Sequence, residues 1–468
     1  MKSVVKNVCL FLAAVYLTVT FIREPIQAQT IISTPESAPT ISLAQGHTSI
    51  AQAAVPPHLR ALDEGNVSKA IPLIEQTWEN DFETYFGAKF SSQPMTVKDI
   101  ADTLGKIAIQ TGKKPALIYM VPRPKQLELI AIAPDGKLIH KSVLEANREA
   151  LLKQVKELTT FIVSPIRRNT SRYLAPAQQL YQWMIAPLEA DLKAQSIDTL
   201  IFCVGAGLRT FPMAALHDGQ QFLVEKYSFS RIPAFGLTDT VYGDLRNSRV
   251  LAMGASQFKD LNPLPAVPVE LSAIMKNLWQ GTSFLNEDFT LTNLQSQQAS
   301  QPYRIIHLAT HAAFEPGAPK NSYVQFWDSK LTLEQMRQWR WENPPIELLV
   351  LSACKTAIGD EQAELGFAGL AVQAQVKSAL ASLWEVSDEG TLALMSEFYQ
   401  HLKTAPIKSE ALRQAQIAML KGQVRLEDGH LQNSRMNIPL PSELTAVENK
   451  TLSSPYYWSA FTVVGSPW

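Results

Sequence analysis

Cysteine is scarce in this sequence. The 468 residues include only three, Cys9, Cys203 and Cys354, which excludes a small scaffold stapled by several disulfides. Cys203 lies in the apolar run 199–204, which is typical of a central strand, and a free cysteine there often acts as a small buried hydrophobe. One disulfide between Cys203 and Cys354 is the alternative if the chain is exported.

The sequence also lacks an excess of charge of either sign. It has 42 basic and 43 acidic residues, a formal net charge of −1, and no long run of like charges. A nucleic-acid groove is therefore not expected as the main functional surface. With 46% hydrophobic and 18% charged residues, the composition is that of a globular chain with two or three domains.

Cofactor and metal motifs are missing as well. The segment 204–207 contains two glycines after an apolar run, but it lacks the third glycine and the downstream acidic residue of a dinucleotide site. His307 and His311 have the spacing of a zinc-binding pair, which is specific only on one face of a helix with a third ligand. Here an apolar run typical of a strand precedes His311, and no Glu follows His307. We expect no cofactor and no metal.

The first 28 residues have the pattern of a secretory signal. Lys2 and Lys6 precede an uncharged apolar run at 8–22, and small residues near Ala28 offer a cleavage site. We therefore expect export to the periplasm or the extracellular space. The alternative is an uncleaved anchor at 8–22, which is shorter than the roughly 20 residues that usually span a bilayer. Only in that case is a membrane expected as a partner.

Two short apolar runs, 304–311 and 347–354, end in residues able to do chemistry. The first closes on His311 and the second on Cys354, and turn-forming residues with a short helix at 333–340 separate them. Such runs are typical of strands of a parallel sheet. Because reacting groups gather at the carboxyl ends of parallel strands, we expect the two residues to face one crevice if the strands are neighbours.

A cysteine and a histidine in one crevice form a nucleophile and its base. The imidazole takes the thiol proton and later returns it to a leaving group. The two residues lie 43 positions apart, and caspase-type sites carry the histidine roughly 50 residues before the cysteine. His307 is the alternative base, but its place inside the strand favours a packed or hydrogen-bonded histidine.

Local sequence adds a family resemblance. The segments 307–311 and 349–356 resemble those of the CHAT-domain family of caspase-like cysteine peptidases, relatives of separases and metacaspases. Further segments of this chain that look like the family are 209–216, 264–270, 366–381, 382–388, 395–399, 410–416 and 456–461. The resemblance covers about residues 115–468. It implies an α/β fold whose caspase-like parallel sheet has helices on both faces.

The resemblance also implies roles for further residues. The family usually has Gly where this chain has Ala312, and the backbone N–H groups of Ala312 and Cys354 would hold the oxyanion. Alanine keeps the N–H but tolerates positive φ poorly. Ser352, Glu385 and Asp388 occupy the positions implied for substrate recognition, and the two acids suggest a pocket for Arg or Lys. The alternative is that both acids are solvated, or that Asp388 caps a helix at 391–402.

The elements predict five regions along the chain: the signal peptide 1–28, a flexible linker 29–57, a helical segment 58–112, a first, non-catalytic half 113–246 and a catalytic half 247–468. The helical segment begins with two helices broken at 63–66, which pack on the main domain or, alternatively, contact a partner. Polar residues 423–454 predict an irregular insertion, in which Arg425 and Arg435 are candidate cleavage sites.

The sequence thus predicts a secreted cysteine endopeptidase with His311 and Cys354 as catalytic residues. Its expected partners are a protein or peptide substrate and a regulatory protein. The alternative is a non-catalytic member of the family in which the same fold binds or regulates proteins, which Ala312 permits.

Overall fold

A computed structural model describes residues 55–90, 95–166, 170–339, 345–433, 435–445 and 448–468. The predicted signal peptide, and the linker as far as residue 54, lie outside the described residues. Within the described ranges, no helix combines the length and the hydropathy needed to cross a bilayer.

Three helices come first: α1 (Pro57–Asp63), α2 (Val67–Phe86) and α3 (Val97–Thr111). The Asn66 side chain accepts the N–H of Lys69 and so begins α2, while Gly87 ends it in the left-handed conformation. The predicted helix pair is confirmed. Buried Glu75 of α2 fastens this segment to the sheet domain by accepting the N–H groups of Phe235 and Gly236 at 3.0 and 2.9 Å.

The next part of the chain alternates strands and helices. Its elements are β1 (Pro115–Pro122), β2 (Leu127–Ile132), β3 (Leu138–Val143), α4 (Arg148–Val163), α5 (Leu174–Met184), α6 (Ala186–Ala194), β4 (Thr199–Val204), α7 (Leu223–Lys226) and β5 (Ser228–Ile232). β1 and β2 pair antiparallel as a hairpin. β3 has a half-exposed, polar pattern, which does not indicate a strand in the sequence.

The remaining elements start at residue 250. They are β6 (Val250–Gly254), α8 (Val267–Asn277), β7 (Gly281–Leu285), α9 (Leu291–Ser300), β8 (Ile305–Phe314), β9 (Tyr323–Gln325), β10 (Lys330–Thr332), α10 (Leu333–Met336), β11 (Leu348–Thr356), α11 (Glu361–Ala368), α12 (Leu370–Gln373), β12 (Ser378–Ser382), α13 (Asp388–Leu402), α14 (Lys408–Leu420), β13 (Arg425–Glu427), β14 (His430–Gln432), β15 (Asn437–Pro439), β16 (Lys450–Thr451), α15 (Pro455–Trp458) and β17 (Phe461–Gly465).

One 13-stranded, largely parallel sheet joins the two parts. Its main path is β10-β9-β8-β11-β12-β17-β5-β4-β1-β2-β3, and β6 lies beside β8 with β7 at its side. The last strand, β17, links the parts because it pairs antiparallel with β12 and parallel with β5. Successive residues of β1, such as Ile118 and Tyr119, belong to two different apolar clusters, so both faces of the sheet are covered. The predicted mixed α/β fold with a central parallel sheet is confirmed.

The segment 423–454 differs from the prediction of an irregular insertion. Four short strands form a separate sheet in the order β15-β14-β13-β16. Leu426 and Leu431 are buried in it, and these two isolated apolar residues were too weak a pattern to reveal strands. The Arg425 side chain lies along this sheet and donates to Glu427 and Gln432, whereas exposed Arg435 follows β14 in the turn to β15.

Candidate active site

The strands that carry His311 and Cys354 are direct neighbours. β8 and β11 run parallel, with Leu348 beside Ile305 and Val350 beside His307. The condition under which the two residues were expected to face one crevice is therefore met. Both strands continue beyond the expected ends, to Phe314 and Thr356, so the two candidate residues lie within paired strands and not in loops after them.

A bulge sets the register between the two residues. Leu351 pairs with Leu308, and the next pairs are Ala353 with His311 and Cys354 with Ala312. Between these pairs β11 has one residue, Ser352, whereas β8 has two. Residues paired side by side point to the same face of a sheet, and successive residues alternate. His311 and Cys354 therefore direct their side chains to opposite faces, and the structure does not bring the thiol and the imidazole together.

Cys354 lies on the buried face. Its side chain is fully inaccessible, and its Sγ donates to the carbonyl oxygen of Leu351 at 3.4 Å. Burial raises the pKa of the Cys354 thiol to about 12, while a hydrogen bond from the Ser382 backbone acts weakly in the opposite direction. Since the thiolate is the nucleophile, this raised pKa lowers the reactivity of Cys354 in this conformation.

His311 lies on the opposite, partly exposed face. Its Nε2 donates to the carbonyl oxygen of Asn262 at 2.8 Å, and its ring meets that of Phe258 edge to face at 4.8 Å. Because a carbonyl oxygen only accepts, Nε2 carries the proton in this contact, and Nδ1 is the nitrogen left to accept one. The loop between β6 and α8 thus holds the candidate base.

His307, the alternative base, belongs to the core. It is fully buried; its Nδ1 lies 3.1 Å from the Tyr399 hydroxyl, and its Nε2 lies 2.8 Å from an oxygen of buried Glu270. The prediction of a packed, hydrogen-bonded histidine is confirmed. Together the three side chains fill the space between the sheet and helices α8 and α13.

Ala312 sits between two strands. It pairs with Cys354 on one side and with Val324 of β9 on the other. It is not among the described non-glycine residues with positive φ, so this conformation costs alanine nothing compared with glycine. The N–H groups of Ala312 and Cys354 thus belong to two residues that lie side by side on β8 and β11. Their role in holding an oxyanion stays a prediction.

The three residues predicted for substrate recognition have different surroundings. Ser352 is buried at the bulge. Glu385 is exposed, whereas the Asp388 carboxylate accepts the N–H of Ala266 at 2.6 Å. Burial, followed by the nearby charges of Glu270 and Glu389, raises the pKa of Asp388 to about 7, although the Ala266 hydrogen bond opposes this. Asp388 thus joins the starts of α8 and α13, with Ser387 as the N-cap of α13.

The other candidate groups carry no visible chemistry. Cys203 is a free, buried cysteine on β4, and its Sγ donates to the carbonyl oxygen of Pro233 at 3.3 Å, so the interpretation as a small core residue is confirmed over a disulfide. In the part of the chain that the structure describes, no group of three or more His, Cys, Asp or Glu side chains is arranged to hold a metal.

Two residues at this site were not predicted, Phe258 and Asn262. They lie in the loop 255–266, which has no periodic pattern and touches His311 only through the tertiary fold. Glu364 of α11 was also missed. It accepts the N–H of Gly207 at 2.8 Å and the Thr210 hydroxyl at 3.1 Å, and so ties the helix after the Cys354 strand to the loop after β4. Contacts across 157 residues leave no local signal in a sequence.

Comparisons with known proteins place the chain in context. The family model described as the CHAT domain matches residues 174–466, and no curated protein sequence matches significantly. Similar solved structures include the separase–securin complex of Saccharomyces cerevisiae, with 10% identity and a TM-score of 0.45 over 86% of this chain and 34% of that one. This chain therefore spans about a third of that chain's length.

Two further structures concern a bacterial protein. The complex of the pro- and mature domains of RgpB from Porphyromonas gingivalis has 8% identity and a TM-score of 0.40 over 75% of this chain and 78% of that one. The Arg-specific cysteine proteinase gingipain R has 8% identity and a TM-score of 0.38 over 76% and 78% of the two chains.

Proposed function

The chain belongs to the CHAT-domain family, and we propose that it is an exported cysteine endopeptidase with Cys354 as nucleophile and His311 as general base. The observation that carries the proposal is the position of the two residues on neighbouring parallel strands, one residue apart in register. Cys203, the other described cysteine, is on β4, whose neighbours β1 and β5 contain no histidine. Export rests on the sequence of residues 1–28 alone.

The conformation described is the latent form of this enzyme. Activation requires Cys354 to leave the buried face and His311 to leave Asn262, since the base must come within hydrogen-bond reach of the thiol. A change of pairing at the bulge between β8 and β11 accomplishes the first movement, because shifting a strand by one residue exchanges its two faces. Exposure of the thiol then also lowers its pKa, because burial is the main cause of the increase.

Cleavage after Arg or Lys is the specificity we propose. Glu385 is exposed in the loop between β12 and α13 and offers a free carboxylate to a basic side chain. Asp388 has its carboxylate bound to the Ala266 N–H, so it contributes less directly.

The test is covalent labelling by a peptide electrophile with Arg next to the reactive group, followed by intact-mass measurement. Because a bound peptide, unlike a small reagent, should draw the chain out of its latent form, we expect one adduct, which Cys354→Ala abolishes and His311→Ala slows by about a hundredfold or more. Cys203→Ala is the matched control and should label normally. Glu385→Gln should slow the Arg probe but not an uncharged probe, whereas Glu334→Gln, at another exposed carboxylate, should change neither rate.

Two results would contradict the proposal. An adduct that persists in Cys354→Ala would remove this residue as the nucleophile. The absence of any adduct with Arg, Lys and Asp probes, in the wild-type chain and in Ala312→Gly, would favour the second candidate function, a non-catalytic protein-binding module. The specific observation that favours this alternative is the complete burial of Cys354, together with the contact of His311 with Asn262.

A further inference from the structure

A groove of about 800 Å³ lies between helices α8 and α13 and the strand β15 of the small sheet. It is lined by residues of α8 from Pro268 to Lys276 with the following Leu278, and by Gln400, Lys403 and Thr404 at the end of α13 and just after it. The third side is formed by residues 435–439, from the segment that the sequence predicted to be irregular. None of the residues discussed as catalytic or substrate-recognising lines it.

The charge of the groove has one sign. Lys276, Lys403 and Arg435 line it, and no Asp or Glu is among its described lining residues. Lys276 and Arg435 are exposed, and neither forms an ion pair with a described residue. Lys403 is more confined, because its Nζ lies 4.0 Å from the centre of the Trp279 ring and donates to the carbonyl oxygen of Arg246. A chain with a net charge of −1 has thus gathered three uncompensated cations in one groove.

The lining segment 435–439 includes the edge strand of a sheet. β15 is the terminal strand of the order β15-β14-β13-β16, so one side of its backbone has no strand partner among the described residues. An open edge of this kind accepts an extended peptide as an additional strand. Met436 and Leu440 exchange backbone hydrogen bonds with the chain on the β14 side, and Ile438 pairs with Leu431, so the residues that face the open side are Asn437 and Pro439. Because Pro439 lacks an N–H, Asn437 supplies the N–H of this edge, and the carbonyl oxygens of both residues can accept.

The apolar part of the lining completes the arrangement. Val269, Leu278, Met436 and Ile438 supply it. Successive side chains of an extended peptide point in opposite directions. A peptide laid along β15 in which acidic and apolar residues alternate can therefore offer one set of side chains to the cations and the other set to the apolar lining.

We propose that this groove is a docking site for an extended acidic peptide segment of a protein partner, in which Asp or Glu alternates with apolar residues. Charge complementarity steers the segment to Lys276 and Arg435, and backbone hydrogen bonds with Asn437 and the Pro439 carbonyl hold it along β15. The proposal goes beyond the peptidase function and does not depend on it, because binding requires neither Cys354 nor His311.

The first experiment measures binding of a fluorescein-labelled ten-residue peptide of alternating Asp and Val to the full-length chain by fluorescence anisotropy. The same peptide with Lys in place of Asp is the charge-reversed control. We expect binding of the Asp peptide only, weakened by added salt because exposed charge pairs are screened. The double variant Lys276→Glu, Arg435→Glu should lose about tenfold in affinity.

The matched control is Lys69→Glu, Lys106→Glu, which makes the same change of net charge at two exposed lysines on α2 and α3. It should bind the Asp peptide as the wild-type chain does. Equal weakening in both double variants would overturn the proposal, because it would indicate general attraction by net charge. Equal binding of the Asp and Lys peptides would overturn it as well.

The second experiment locates the peptide without any variant. Amide hydrogen exchange of the wild-type chain, with and without the Asp peptide at saturation, should show slower exchange at 435–438 and along α8. Protection confined to β10, the terminal strand of the large sheet, would show that the peptide uses another edge and would refute the assignment of the groove.

Discussion

Cys354 should react slowly in the folded chain, and the size of the effect follows from its burial. The pKa of the thiol rises from 9.0 to about 12, which lowers the thiolate fraction near neutral pH by about a thousandfold. A more basic thiolate is intrinsically more nucleophilic, with a Brønsted coefficient of about 0.4–0.5 in disulfide exchange. This restores about 20-fold, so the net slowing is about 50-fold before any loss of access.

The assay is labelling with an aromatic disulfide, quenched over time and read from the mass of the peptide that contains Cys354. The rate in the native chain is compared with the rate in the chain unfolded by urea. Cys203 serves as an internal reference, because it is also fully buried and free. We expect the native rate at Cys354 to be at least about 50-fold lower and to rise about tenfold per pH unit from pH 7 to 10, with no plateau.

His311→Ala provides the discriminating control. Since the His311 ring contacts Asn262 and Phe258 and lies on the face opposite to Cys354, its removal should leave the resting labelling rate nearly unchanged. A native rate within a few-fold of the unfolded rate, or a clear slowing in His311→Ala, would refute the latent arrangement. Either result would mean that thiol and imidazole already meet in the resting chain.

Two further predictions concern buried charges outside the site. Glu75→Ala should lower the free energy of unfolding by about 2–4 kcal/mol, because the N–H groups of Phe235 and Gly236 and the Tyr119 hydroxyl lose their acceptor. Glu75→Gln keeps one acceptor oxygen and should therefore lose less stability. A urea titration that finds no loss of stability in either variant would contradict this prediction. Burial lowers the pKa of Lys408 to about 7 despite the nearby Glu347. Between this pKa and the ordinary lysine value of 10.5, the unfolded chain binds a proton at Lys408 that the folded chain does not. The free energy of unfolding should therefore rise with pH in this range, by up to about 1.4 kcal/mol per pH unit. Lys408→Met should remove that part of the slope, and equal slopes for both chains would show that Lys408 keeps its proton when folded.

Secondary structure was predictable wherever one side of an element repeats an apolar pattern. The strands that became β4, β6, β8 and β11 are apolar runs, because both of their faces are buried, and the helix pair α1–α2 has a clear break at Asp63–Asn66. The polar β3 was missed because it is half exposed and has no apolar alternation, and the strands β13–β16 were missed because two or three residues of alternation do not exceed chance. The same weakness hid the groove, one side of which these short strands build.

The sequence by itself determined the fold class, the family and the two candidate catalytic residues, because each depends on local patterns: apolar runs of strand length, and His311 and Cys354 at their ends. The tertiary structure alone decided what these residues do at rest. A single extra residue in β8, opposite Ser352, sets the faces to which the imidazole and the thiol point. Burial of the thiol and the hold of Asn262 on His311 follow from that register, and strand register depends on contacts between segments that are distant in the sequence.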